Sequence, residues 1–267
     1  MKAVVICCPE YDQSSGGSVV LHELAAMLET VTRVVRVNLV PVRSSGTHGW
    51  TLTAQNVEES TLQLCRSDAA IVIYPETVYG NPLGGWNVIR WLLNTPGLIC
   101  DTYIDYRTET IYSYLESFGA CFPLLRISSI PQMPEVSNTK NVSVSYLIKK
   151  AYKYHNTAID THESWQCIDG MSLSEQLLIL SQSKYFISFD PHTMLSTFAT
   201  LVGCRSIVPE VSGKSQSDLY SDDEISFVYG DYSGVDFSSL MQVAHRFVDT
   251  LRETTTKDFI SFCGTEL

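Results

Sequence analysis

Short apolar runs rich in β-branched residues recur along this chain, separated by segments in which apolar residues fall at helical spacing. Residues 3–8 (AVVICC), the Val-rich stretch 31–42, 69–74 (AAIVIY), 98–104, 142–148, 185–189 (YFISF) and 206–208 read as strands. The helical readings are VVLHELAAML after the first run, where Val19, Val20, Leu24, Met27 and Leu28 share a face, and residues 53–66, 85–94, 110–117, 193–202, 237–250 and 254–262. A further helix, LSEQLLILSQSK, opens after Asp169-Gly-Met-Ser172, with Glu175 completing a capping box. Strands without internal polar alternation need cover on both faces, so this order predicts an α/β fold of parallel sheets. The segment 128–141 (SSIPQMPEVSNTKN) has no apolar period and two prolines, which makes it the linker between two Rossmann-like units facing a cleft. The expected domains are 1–130 and 140–250, with residues 251–267 a helix packing back on the first; residues 213–224 read as loop.

Composition narrows the function classes. The 267 residues, 45% of them hydrophobic, can bury a full core, which excludes disorder and fibrous architectures. A formal charge of −11 opposes binding to phosphate backbones or anionic headgroups, so no nucleic acid partner is expected. The eight cysteines form no C-x-x-C pair, and most lie inside apolar runs, as expected of reduced, buried thiols in a cytoplasmic protein. The first apolar run ends at a proline and two acids without a cleavage signal, and no run reaches membrane-span length, so a soluble chain without a membrane span is expected.

Four constellations carry candidate chemistry. Gly16 and Gly17, in SSGGS between the first strand and first helix, allow backbone N–H groups to approach an anion; the alternative is a Gly-Ser turn of structural value alone. Lys149, Lys150 and Lys153, followed by His155, gather three of the eight lysines just past a strand, where they supply counter-charge for a diphosphate or simply form a solvated helix face. In SFDPHTML, Asp190 and His192 precede a helix whose first N–H groups, at Thr193, Met194 and Leu195, suit a phosphate; an Asp-Pro turn with a surface histidine is the alternative. Glu76 and Asn81 in YPETVYGNP, and Tyr106 after the next strand, stand where a sugar or acceptor contact is expected, although turn chemistry also selects Gly-Asn-Pro. No D-x-D pair, Walker pattern, G-x-G-x-x-G or G-x-S-x-G is present.

Three segments carry a resemblance: SSGGSVVLHELAAML, IVIYPETVYGNPLGGWNVIRWLLNTPG and SLSEQLLILSQSKYFISFDPHTMLSTFATLVGCRSIVPE. Over about two thirds of the chain they resemble glycosyltransferase family 4, of the GT-B fold, in a short form such as those encoded by large algal viruses. The resemblance implies an acceptor-side first domain, a donor-nucleotide second domain, and retaining, metal-independent transfer from a nucleoside-diphosphate sugar to a glycan, glycoprotein or other hydroxyl acceptor. GDP-mannose is the first donor and UDP-glucose the second; no cofactor is implied, and a homodimer is admitted. The family's E-x7-E element maps with Asp190 at its first acidic position and Phe198 at its second, which departs from the pattern. Gly16, Gly17 and the three lysines resemble its diphosphate contacts, and Asp190 and His192 take the sugar-orienting, catalytic places. An inactive nucleotide-sugar-binding module and a nucleotide-dependent oxidoreductase are the alternatives.

Overall fold

The computed structural model describes residues 1–45, 49–128, 130–155, 159–220 and 225–267, and the chain divides into two compact units. The first comprises Met1–Ser129 and Leu251–Leu267, the second Ile130–Thr250. The expected linker thus lies at the junction, apart from residue 129, which is outside the described residues, as is the 221–224 part of the expected loop.

In the first unit, β1 (Ala3–Cys8), β2 (Val34–Arg43), β3 (Trp50–Ala54), β4 (Ala70–Pro75), β5 (Val88–Leu92) and β6 (Thr110–Ser113) form one sheet in the order β3-β2-β1-β4-β5-β6. Among the described residues of this sheet, only the β2–β3 pair is antiparallel. The pleat sends Val4 and Ile6 into the cluster beneath α1 (Gly16–Glu29), with Leu21, Leu24 and Leu28, while Val5 and Cys7 join Val37, Leu39, Val72 and Tyr74 on the opposite face. Both faces of β1 are therefore covered, which is why its sequence is continuously apolar. Each such Val, Ile or Leu contributes about 1.5–3 kcal/mol on burial. Residues 251–267 complete the first cluster with Phe259 and Phe262.

Four local expectations are corrected by the structure. Residues 85–94 are not a helix: VIRWL forms β5, each residue buried, because β4 needs a parallel neighbour and Val-Ile favours the pleat. Residues 98–104 form no strand, and the β6 strand takes the start of the expected 110–117 helix. The expected helix over 53–66 is split into the end of β3 and α2 (Glu59–Cys65), with Asn56 at a left-handed φ of 52° between them.

The second unit is a wholly parallel sheet of β7 (Val142–Leu147), β8 (Gln166–Cys167), β9 (Ser183–Ser188), β10 (Arg205–Val208) and β11 (Val228–Tyr229), in the order β11-β10-β9-β7-β8. Helix α3 (Leu173–Gln182) starts as expected, Ser172 and Glu175 forming the capping box. α4 (Leu195–Leu201) is closed by Gly203 at φ +75°, where an added Cβ would come within 2.8 Å of Val136. The two helical stretches expected near the end are one continuous α5 (Phe237–Glu266). The two parallel-sheet units give the α/β, Rossmann-like class read from the sequence.

Candidate functional site

An open parallel sheet has one place where successive connections leave in opposite directions, and ligands bind beyond the strands' carboxyl ends at that point. In the second unit the chain runs from β7 outward to β8, then returns to β9 and continues to β10 and β11, so the switch falls between β7 and β9. The segments leaving those two strands contain Lys149–Lys153 and Asp190–His192.

Asp190 is fully buried two residues past β9. Ser188 Oγ donates to its carbonyl oxygen at 2.7 Å, and its Oδ1 accepts the His192 N–H at 3.2 Å, which is the Asp-Pro turn of the alternative reading without that reading's surface histidine. Its Oδ2 has no hydrogen-bond partner, and Lys150 Nζ stands 3.7 Å away. A buried carboxylate oxygen without a hydrogen bond is costly, and a lysine 28% exposed compensates it only in part. The pair therefore presents an under-satisfied acceptor beside a cation that reaches solvent.

His192 is half-buried, its ring 5.7 Å from those of Tyr154 and Tyr220. Burial and then the Lys150 charge push its pKa down to about 4, so the imidazole is neutral at pH 7, with one ring nitrogen donating and one accepting. Tyr220 is held by its own O–H, which donates to the Pro191 carbonyl at 2.8 Å. His155 Nε2 donates to the Phe189 carbonyl at 3.1 Å, tying the lysine-bearing turn to the end of β9.

The lysines do not line a regular helix face. Lys149 has a left-handed φ of 37°, and residues Ala151–Lys153 make a single 3-10 turn. Lys153 Nζ lies 5.1 Å over the Tyr152 ring, and Lys150 is the lysine paired with Asp190. The α4 N-terminus is less available than its sequence suggests. The Leu195 N–H already bonds to Thr193 Oγ1 at 3.3 Å, the cap position is Met194 without a side-chain cap, and Leu195 itself is core. Phe198, at the second acidic position of the resembling motif, is buried in the same core.

In the first unit the switch falls between β1 and β4. Gly16 and Gly17 are not loop residues but the first turn of α1, capped by Ser15, whose Oγ accepts from the Ser18 N–H at 3.4 Å. No atom lies within 4 Å of a Cβ built on Gly16, so its side stands open. Glu76 is buried, and its Oε2 accepts the Leu93 N–H at 2.9 Å, bracing β4 against the end of β5. Asn81 braces its own turn: its Oδ1 accepts from Tyr74 Oη and the Gly85 N–H, and its Nδ2 donates to the Gly85 carbonyl. Tyr106 is exposed and stacked on Phe122 at 6.0 Å.

Sequence reading missed three groups. Asp169, read as part of a helix start, instead accepts the Ile148 and Lys149 N–H groups at 2.8 and 3.0 Å. Tyr220 reaches His192 from a distant segment, and no local pattern announces it. Arg90, inside β5, is fully buried, and each of its five N–H groups has an acceptor: Glu109 twice, and the Pro75, Val78 and Gly80 carbonyls. That network is closed and leaves no valence for a ligand.

The site's class is thus that of an α/β protein with an anion-suited, partly buried cluster at a parallel-sheet switch point. No family model and no curated protein matches the sequence. Among solved structures the chain is similar to MurG of Acinetobacter baumannii, at 11% identity over 97% of this chain and 95% of that chain, with a TM-score of 0.37. It is also similar to the spinosyn forosaminyltransferase SpnP, with the same identity and coverage and a TM-score of 0.44.

Proposed function

We propose that the chain is a glycosyltransferase that binds a nucleoside-diphosphate sugar at the switch point of its second unit. The observation that carries this reading is the Lys150 ammonium beside the fully buried, incompletely satisfied Asp190 at the carboxyl ends of β7 and β9. Transfer separates charge: the bond from the anomeric carbon to the phosphate oxygen breaks with its electron pair passing to the diphosphate, while the sugar becomes oxocarbenium-like. A fixed cation at the diphosphate lowers that barrier, and a sugar held in register lowers it further. In this scheme Lys150, with Lys149 and Lys153, takes the diphosphate charge. Asp190 Oδ2 accepts hydrogen bonds from donor-sugar hydroxyls, which complete its missing partner. Neutral His192 orients the same sugar through a ring nitrogen.

We assign a retaining, metal-independent route, as the resemblance implies. The acceptor oxygen bonds to the anomeric carbon on the face the phosphate leaves, and the acceptor proton passes to the departing phosphate oxygen. Acceptor contacts belong to the first unit, with Tyr106 one of its exposed aromatics. GDP-mannose is the first donor to test and UDP-glucose the second. Phe198 favours a second reading, a binding module of the same class, because no carboxylate stands where the resembling family contacts ribose. No described helix is long and apolar enough to cross a membrane.

Calorimetric titration with GDP, UDP, both sugar nucleotides and NAD separates these readings. Sugar-nucleotide binding with donor turnover that persists in EDTA is the expected result. Binding without turnover selects the module, and failure to bind any nucleoside diphosphate refutes the proposal.

A further inference from the structure

The turn that carries Lys150 is not held by its own local chemistry. Lys149 sits at φ 37°, a left-handed conformation that a lysine rarely adopts and that persists only where neighbours over-determine it. The neighbour that does so is on another element. Asp169, two residues past β8, places one carboxylate oxygen on each of two consecutive backbone donors: Oδ2 accepts the Ile148 N–H at 2.8 Å and Oδ1 the Lys149 N–H at 3.0 Å. Charge-assisted bonds of this geometry are among the stronger ones a backbone can make. Beyond them the chain closes its turn through Ala151 N–H to the Ile148 carbonyl at 2.7 Å, which directs the next side chain, Lys150, to within 3.7 Å of Asp190 Oδ2.

We propose that Asp169 is a positioning residue, whose clasp on the Ile148–Lys149 backbone sets where the Lys150 ammonium stands relative to Asp190 and so builds the anion side of the site. Asp169 acts through Lys150 and touches no reacting atom. The ligand-binding consequence rests on the functional reading given above; the positioning itself does not.

His192 reports the geometry independently of any ligand, since it faces Lys150, Asp190, Tyr154 and Tyr220, and the Lys150 charge helps hold its pKa down. The test is NMR titration of the His192 ring in Asp169→Ala and Asp169→Asn, each also placed in a Lys150→Met background. If the clasp positions Lys150, its loss lets the ammonium move away, and the His192 midpoint rises by about half a pH unit or more. The sign is diagnostic, because removing a negative charge that acted on His192 directly would lower the midpoint instead. In the Lys150→Met background the Asp169 substitutions leave the midpoint where Lys150→Met alone puts it. Inorganic pyrophosphate binding, followed calorimetrically, weakens on the order of tenfold in the Asp169 single variants.

An unchanged or lowered midpoint in a folded Asp169 variant overturns the proposal. So does a shift of equal size with and without Lys150. Where Asp169→Ala fails to fold, the isosteric Asp169→Asn decides; failure of both to fold makes Asp169 a structural residue and also overturns it. If the unmodified protein binds no pyrophosphate, the functional reading fails, while the titration still decides the positioning role.

Discussion

Replacing Glu109 by Gln tests how a buried charge is maintained in the first unit. Arg90 is fully buried, and Glu109 neutralises it through paired bonds of 2.8 and 3.0 Å, while the remaining N–H groups go to three backbone carbonyls. The amide in Glu109→Gln keeps one acceptor but removes the counter-charge, leaving a guanidinium that cannot deprotonate inside the fold. Breaking such a pair costs about 3–5 kcal/mol, a large share of the 5–15 kcal/mol that typically holds a domain folded. With a urea slope of about 1–3 kcal/mol/M, the unfolding midpoint should fall by roughly 1–5 M. Arg90→Met should cost a similar amount, since it strands Glu109 and three carbonyls. The double variant Arg90→Met/Glu109→Leu should recover part of the loss, because well-packed apolar replacements avoid desolvation. Tryptophan fluorescence is the suitable probe, as fully buried Trp91 is the next residue along β5. A midpoint change of less than about 0.5 M in Glu109→Gln would refute the reasoning, as it would mean water already solvates Arg90.

Replacing Lys149, Lys150 and Lys153 together by Ala should weaken nucleoside-diphosphate binding strongly, measured calorimetrically, and should also lower the melting temperature, because the buried Asp190 carboxylate loses its counter-charge. For His192 the folded pKa of about 4 lies below the ordinary 6.5, so between these values the unfolded chain binds more protons and stability rises with pH. This contribution is complete above pH 6.5 and lost as pH falls toward 4, by on the order of 2–3 kcal/mol. Urea midpoints of the unmodified protein and His192→Asn should therefore converge toward pH 4 and separate above pH 6.5. Ser172→Ala removes the side-chain half of the α3 capping box, leaving the bond from its own backbone N–H to Glu175, and should lower stability of the second unit by about 1 kcal/mol, read from thermal unfolding.

Legibility in the sequence followed how local the determining physics is. β1 and β4 announced themselves because strands covered on both faces need unbroken apolar runs, β7 and β9 because β-branched and aromatic residues gather in short runs, and the α3 start because a capping box lies within four residues. β5 did not. Its five residues are too few to separate a pleat from a helix turn, and Arg90 mimics the polar face of a helix although its neutralising partner stands 19 positions on. The crossovers over residues 76–87 and 93–109 contain no helix, so the alternation used to place elements fails across them. Lys150, Asp190 and His192 were found by type and by position past strands. Asp169, Tyr154 and Tyr220 were not, because what they contribute is a bond or ring contact to another segment, which residue spacing does not encode.

The first unit is sewn from two stretches separated in sequence, 1–129 and 251–267. Its final stretch ties back through Asp258 to Arg126, Thr255 to the Ser128 N–H and Glu266 to Tyr112, and fills the cluster with Phe259 and Phe262. The second unit, by contrast, is a single uninterrupted insert of residues 130–250. During synthesis the earlier-made lobe must therefore wait, its hydrophobic flank exposed, until residues 251–267 have left the ribosome, while the insert can close as soon as it emerges. A chaperone or protease that meets the nascent chain should find residues 1–129 vulnerable longer than the later-made insert, an inversion of the order in which segments are made.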